Sequence, residues 1–140
     1  MALWCAIKSP LLLGNDLTTI SAARLAIVGN VALLAVNQDP LGRAALRVGY
    51  TANVSQVWAG PLAGGAAVVV MLNAGPGNAT VAASWEMLQP ALPRCTELVA
   101  TCLWTNATAS YSTAGPAPSA LLQSHGSAAL RLACKDTAAA

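Results

Sequence analysis

Charge is scarce in this chain: 9% of its 140 residues are Asp, Glu, Lys or Arg, with five acidic residues, seven basic ones and a single His. The basic residues are scattered, and Arg43 with Arg47 is the nearest thing to a cluster. A nucleic-acid partner is therefore not expected, because such an interface needs a basic stripe with exposed aromatics. No CxxC pair occurs, and His125 stands far in sequence from three of the cysteines at 5, 95, 102 and 134. Structural zinc takes closely paired ligands, so no metal site is expected. Phosphate-cradling glycine loops are absent as well; Gly64-Gly65, flanked by strand-like residues, reads as a hairpin turn. His125 has no Ser and Asp at nucleophile spacing, which leaves a hydrolase triad without support and gives His125 a turn role with Gly126. No cofactor is implied.

Long apolar runs are also missing, although 56% of the residues are hydrophobic. A spanning helix needs about 20 predominantly apolar residues. Pro10, Asp16, Arg24, Asn30 and Asn37 interrupt the first third, and the run from Ala63 to Leu72 is too short. Alanine inflates the hydrophobic count without adding much membrane affinity, so no membrane partner is expected. Met1 to Leu13 lacks a basic segment ahead of its apolar stretch and is broken by Lys8 and Pro10. It is not read as a signal peptide.

What is present divides near residue 43. Residues 1–43 read as a helix (Ala2 to Lys8), a short strand at Leu11-Leu12-Leu13 and a polar turn at Asn15-Asp16. A helix follows, capped by Thr18 or Ser21, with Leu25 and Val28 facing inward. Val31 to Val36 fits a second helix or a strand. An all-apolar triplet bounded by Pro10 and Gly14 suits a strand buried on both faces of a parallel sheet.

After residue 43 the pattern turns to short strands: Gln56–Ala59, Ala66–Asn73, Ala79–Ser84, Glu97–Trp104, Ala107–Ser112 and Ala128–Ala133. Gly-Pro steps at 60-61, 75-76 and 115-116 separate some of them. The pattern is that of an antiparallel β-sandwich, a mainly β fold. Val68, Val70 and Leu72 share one face of the second strand and Val69 and Met71 the other, which places it centrally. Trp85 to Leu88 reads as a helical turn, Arg43 to Tyr50 as a junction and Pro116 to Gln123 as a Pro/Ala/Ser linker.

Two stretches, Ala35-Val36-Asn37-Gln38-Asp39-Pro40-Leu41-Gly42 and Val57-Trp58-Ala59-Gly60-Pro61-Leu62, closely resemble a signature of the α-galactosidases (melibiases). Ala2-Leu3-Trp4, Lys8 to Leu17 and Ser124-His125-Gly126 resemble further segments of the same family, in order. These enzymes are retaining glycoside hydrolases with a (β/α)8 barrel and a small C-terminal β domain. The resemblance implies that residues 1–43 are the truncated end of the catalytic barrel and residues 44–140 the C-terminal β-sandwich. It also implies an α-galactoside substrate, taken only with a complete barrel, and a secreted or vacuolar location. Barrel surface left uncovered would favour self-association.

The resemblance places both catalytic aspartates upstream of this chain, so no catalytic residue is assigned among Asp16, Asp39, Glu86, Glu97 and Asp136. Asp16, at the carboxyl end of the expected barrel strand, is the candidate substrate contact at the rim; its competing role is to fix the turn and cap the next helix. Asp39 is expected to hold a turn through its side chain. Cys102 stands where the family often carries a polar residue, which leaves its role open; Cys95 and Cys102 are the candidate disulfide pair, with Cys5 a buried thiol. Asn53, Asn78 and Asn106 head N-x-Ser/Thr sequons and are candidate glycosylation sites, or chance occurrences in a chain rich in Ala and Thr.

Trp4, Trp58, Trp85 and Trp104 offer two readings, a sugar-stacking platform or buried core residues. Three functions remain open: an α-galactosidase lacking its catalytic carboxylates here, a non-catalytic carbohydrate-binding β module, or a structural sandwich that packs on a barrel. Exposed coplanar tryptophans would favour the second.

Overall fold

Eight residues, Ala-Ala-Val-Val-Val-Met-Leu-Asn, form the strand around which the fold is organised. In this computed structural model, which describes residues 1–51, 54–92 and 94–135, the chain begins with helices α1 (Ala2–Ala6), α2 (Ala22–Val28) and α3 (Val31–Asn37). Strands β1 (Leu46–Thr51), β2 (Ser55–Leu62), β3 (Ala66–Asn73) and β4 (Ala79–Ala82) follow, then helix α4 (Trp85–Leu88). Strands β5 (Glu97–Cys102), β6 (Thr108–Ser112), β7 (Ser119–Leu122) and β8 (Ser127–Cys134) complete it.

The large sheet has the order β1-β2-β3-β8-β5-β6 and β4 pairs with β7 in a smaller one; every pairing is antiparallel. Strand β8, last in sequence, inserts between β3 and β5, so β3 has a hydrogen-bonded neighbour on both edges. β-Branched valines suit that pleated, doubly covered position. On one face Val68, Val70 and Ala129 pack with Ala2, Cys5, Leu33 and Val36 of α1 and α3. On the other, Val69, Met71 and Leu132 pack with Val81, Leu88 and Leu122 of the small sheet and α4. Each buried side chain of Val, Leu or Met size contributes roughly 1.5–3 kcal/mol relative to exposure. The two-sided alternation expected for Ala66–Asn73 is what the structure contains.

Residues 1–43 reach the sheet through α1 and α3. The Ala45 amide donates to the Ala6 carbonyl at 2.9 Å, and the Ala45 backbone lies so close to β2 that a Cβ on Gly60 would come within 2.7 Å of its Cα. Side chains are thereby excluded at Gly60. Lys8 Nζ donates to the Val36 carbonyl, joining the end of α1 to α3; burial lowers the Lys8 pKa.

The six expected strands are present, with ends that move by at most three residues. β1 and β7 were not expected, since they occupy the stretches read as junction and linker. Leu11-Leu12-Leu13 does not form a strand: it has no regular structure, Leu12 is 82% exposed and Leu13 43% exposed. A parallel strand exists only by pairing, and no described strand lies alongside. Helix α2 does form with Ser21 as its cap, but none of its residues is buried and Leu25 is 52% exposed. Its expected inward face has nothing to face among the described residues. Val31–Asn37 resolves as helix, begun by the Asn30 side chain accepting from the Leu33 amide at 2.9 Å.

Candidate functional site

Bond cleavage by a retaining glycosidase needs two carboxylates about 5 Å apart, which makes the acidic residues decisive. Asp16 closes a turn on itself: one carboxylate oxygen accepts from the Thr18 amide at 2.8 Å and the Thr18 hydroxyl at 2.7 Å, the other from the Thr19 hydroxyl at 3.2 Å. The Thr18 hydroxyl, then its amide, hold the Asp16 carboxyl below its usual pKa. It fixes the turn as expected, but it does not cap α2; Ser21 Oγ does, accepting from the Arg24 amide at 3.4 Å. Asp16 and Arg24 line an open cleft of about 360 Å³ with Asn15, Thr19 and Ile27.

Asp39 accepts from the Leu41 amide at 3.1 Å and from the Ala63 amide at 3.0 and 3.1 Å. It holds its turn, and it also ties that turn to the end of β2. Glu86 lies in the first turn of α4 and Glu97 begins β5. The four described carboxylates thus stand on four different elements; Asp136 lies outside the described residues. Among the described residues no three His, Cys, Asp or Glu side chains come together as a metal-ion site.

The disulfide is not the one expected. Cys95 pairs with Cys134, with Cα atoms 5.9 Å apart, while Cys102 is free and half-buried. Cys95 precedes extended β5 and Cys102 ends it, and the strand alone spans about 16 Å at 3.3 Å per residue, against the roughly 4.4–6.8 Å that a disulfide bridges. Cys134 comes within reach because β8 runs antiparallel beside β5, with Leu98 opposite Cys134. Burial pushes the thiol of Cys5 up. At Cys102 burial acts in the same sense, but the Thr105 hydroxyl and the amides of Trp104 and Thr105 outweigh it and lower the pKa.

His125 takes a left-handed backbone, φ 56°, in the β7–β8 turn, and the Gly126 amide donates to Gln123 O at 2.9 Å. That turn is held by a residue that sequence reasoning passed over. Asn73, fully buried, donates from Nδ2 to the carbonyls of Gly77, Leu122 and Gln123 at 2.7, 3.2 and 2.9 Å, and its Oδ1 accepts from the Gly75 amide at 2.9 Å. The available signal was a lone amide ending an apolar run.

All four tryptophans are half-buried. Trp58 and Trp104 pack at the edge of the helix-side core, whereas Trp85 lies on the α4 side. Asn78 and Asn106 are exposed, Asn106 in the β5–β6 turn with φ 60°. Asn53 lies outside the described residues.

The family described as the α-galactosidase C-terminal β-sandwich domain matches residues 52–132. The chain belongs to the α-galactosidase family. It corresponds to the C-terminal part of such a protein. It is 39% identical over 89 residues to α-galactosidase 3 of Arabidopsis thaliana, covering 62% of this chain and 20% of that protein. It is 36% identical over 107 residues to an α-galactosidase of Coffea arabica, covering 76% of this chain and 28% of that protein. The structure aligns with crystalline α-galactosidase I of Mortierella vinacea at a TM-score of 0.85 and 29% identity, over 99% of this chain and 35% of that one. The chain therefore spans between a fifth and about a third of the length of these relatives. The antiparallel β-sandwich expected from the sequence agrees with the family's own description.

Proposed function

We propose that this chain is the C-terminal part of a retaining hydrolase of terminal α-D-galactosyl residues, and that it does not cleave the bond by itself. The family match carries the first half of this reading. The second half rests on the four described carboxylates, each on its own element and two of them, Asp16 and Asp39, committed to backbone turns. The nucleophile and acid/base then belong to the part of the relatives that this chain does not match. Asp16 keeps a rim role, ionised and beside Arg24 in an open cleft, as a contact to a sugar hydroxyl. The exposed apolar side chains of Leu12, Leu17, Leu25 and Val31 are the surface that the rest of the barrel covers, or that drives self-association when it is absent.

The test is release of the leaving group from an aryl α-galactoside. The 140-residue chain alone is expected to give none, and the same chain grafted in place of the matching part of the Coffea arabica relative is expected to give turnover. Turnover by the chain alone that disappears with Asp16→Asn or Asp39→Asn would overturn the proposal.

A secretory route is part of the same reading, supported by the Cys95–Cys134 disulfide, which persists in oxidising compartments, and by the exposed sequons. Among the described residues no helix is long and apolar enough to cross a membrane. Mass spectrometry of protein from its native host should find glycan on Asn78 or Asn106. Bare asparagines at both would count against it.

A further inference from the structure

On the α4 side of the sandwich lies a cavity of about 680 Å³ whose wall includes Trp85, Glu86, Gln89, Arg94, Cys95 and Thr113. Its size falls within the roughly 300–1,000 Å³ of small-molecule sites. The aromatic wall is fixed in place. Ser84 Oγ caps α4 by accepting from the Met87 amide at 3.2 Å, Trp85 Nε1–H donates to Gly115 O at 2.8 Å, and Tyr111 meets the indole edge-on with centroids 6.2 Å apart at 74°. Trp85 nevertheless stays only partly buried and contributes to the cavity wall. Cys95, also in the wall, is fixed by its disulfide to Cys134.

The polar groups around this wall are complementary in kind. Glu86 only accepts, Arg94 only donates, and Gln89 and Thr113 do both; Glu86, Gln89 and Arg94 are exposed. One carboxylate and one guanidinium make the lining neutral overall. With no net charge in the lining, neither an anion nor a cation gains a net attraction there, and a neutral ligand fits. It has to offer hydroxyls that both donate and accept along its edge, and a flat C–H face to the indole. A pyranose ring has both.

We infer that this cavity is a binding site for a neutral pyranoside, with Trp85 as the stacking wall and Glu86 and Arg94 as the hydroxyl-binding pair. The inference goes beyond the hydrolase reading and uses it only to choose the first probe. The 140-residue chain, labelled with nitrogen-15, is titrated with methyl α-D-galactopyranoside and then methyl α-D-glucopyranoside while the four indole N–H resonances are followed. Trp85→Phe identifies the Trp85 signal. That signal is expected to move and saturate with at least one sugar, with Kd on the order of millimolar, while the other indole signals stay still. Glu86→Gln and Arg94→Ala, at exposed positions that leave the spectrum otherwise intact, should each weaken binding about ten-fold, as loss of a hydrogen bond to a charged group does. A Trp85 signal that moves with neither sugar, or a shift that both substitutions leave unaltered, overturns the inference. A moving Trp85 signal with a failed graft assay sinks only the hydrolase reading, and the reverse result sinks only the pyranoside site.

Discussion

Replacing Cys134 with Ser should remove a large share of this protein's stability, while replacing Cys102 should remove almost none. The Cys95–Cys134 bond closes a loop across 39 residues. Loop-closure entropy of the unfolded chain, 2.1 + 1.5R ln n, then comes to about 13 cal/mol/K, or about 3.9 kcal/mol at 25 °C. Had Cys95 bonded to Cys102, the same relation would give about 2.4 kcal/mol. A typical domain has about 5–15 kcal/mol in total, so Cys134→Ser should sit close to unfolding. The assay is urea unfolding followed by tryptophan fluorescence on the oxidised chain and both variants. With m near 2 kcal/mol/M, the Cys134→Ser midpoint should fall by roughly 2 M. Cys102→Ser, a change at a half-buried free thiol, should stay within about 0.5 kcal/mol. Peptide mapping without reductant should recover Cys95 joined to Cys134. A Cys102→Ser loss as large as that of Cys134→Ser, or a Cys134→Ser midpoint shift below about 0.5 M, would refute the reasoning.

Asn73→Ala should cost about 3 kcal/mol in the same unfolding assay, because it strips partners from three carbonyls and the Gly75 amide at a buried site; a loss under about 1 kcal/mol would show that the two turns hold without it. The Asp16 carboxyl is depressed by its threonine partners, so its turn is intact above the ordinary Asp value and is lost as pH falls through the lower folded value. The Thr18 amide resonance should therefore titrate below 3.8, and a midpoint at or above that value would mean that the turn is not held by the carboxylate. Trypsin should cut first after Arg24, in a helix with no buried residue, and after Arg43, in irregular chain. Arg47 and Arg131 lie in paired strands, and earlier cleavage at either would contradict the sheet described.

Local sequence determined those elements whose signal is self-contained. Ala66–Asn73 was legible to the residue because seven apolar positions closed by Asn73 suit a strand covered on both faces, and Gly64-Gly65 supplies the positive φ of 69° that its turn requires. Ser84 caps the helical turn expected at Trp85–Leu88, whereas Val31–Asn37, open between helix and strand in the sequence, is a helix begun by Asn30. The family, too, was legible, since its motifs are contiguous runs. Elements that exist by virtue of a distant partner were decided by the tertiary structure. Strand β1 alternates poorly and bulges between Arg47 and Gly49, yet it is a strand because β2 pairs with it. Four-residue β7, hidden among Pro, Ala and Ser, is a strand because β4 lies opposite. Leu11-Leu12-Leu13 carries a better strand sequence than either and forms none, for want of a neighbour. The cysteines obey the same rule: Cys102 is seven positions from Cys95 along the chain, but an extended strand holds them apart, and Cys134 arrives only because β8 inserts beside β5. Pairing across a sheet is a property of two segments at once, so no reading of one segment contains it.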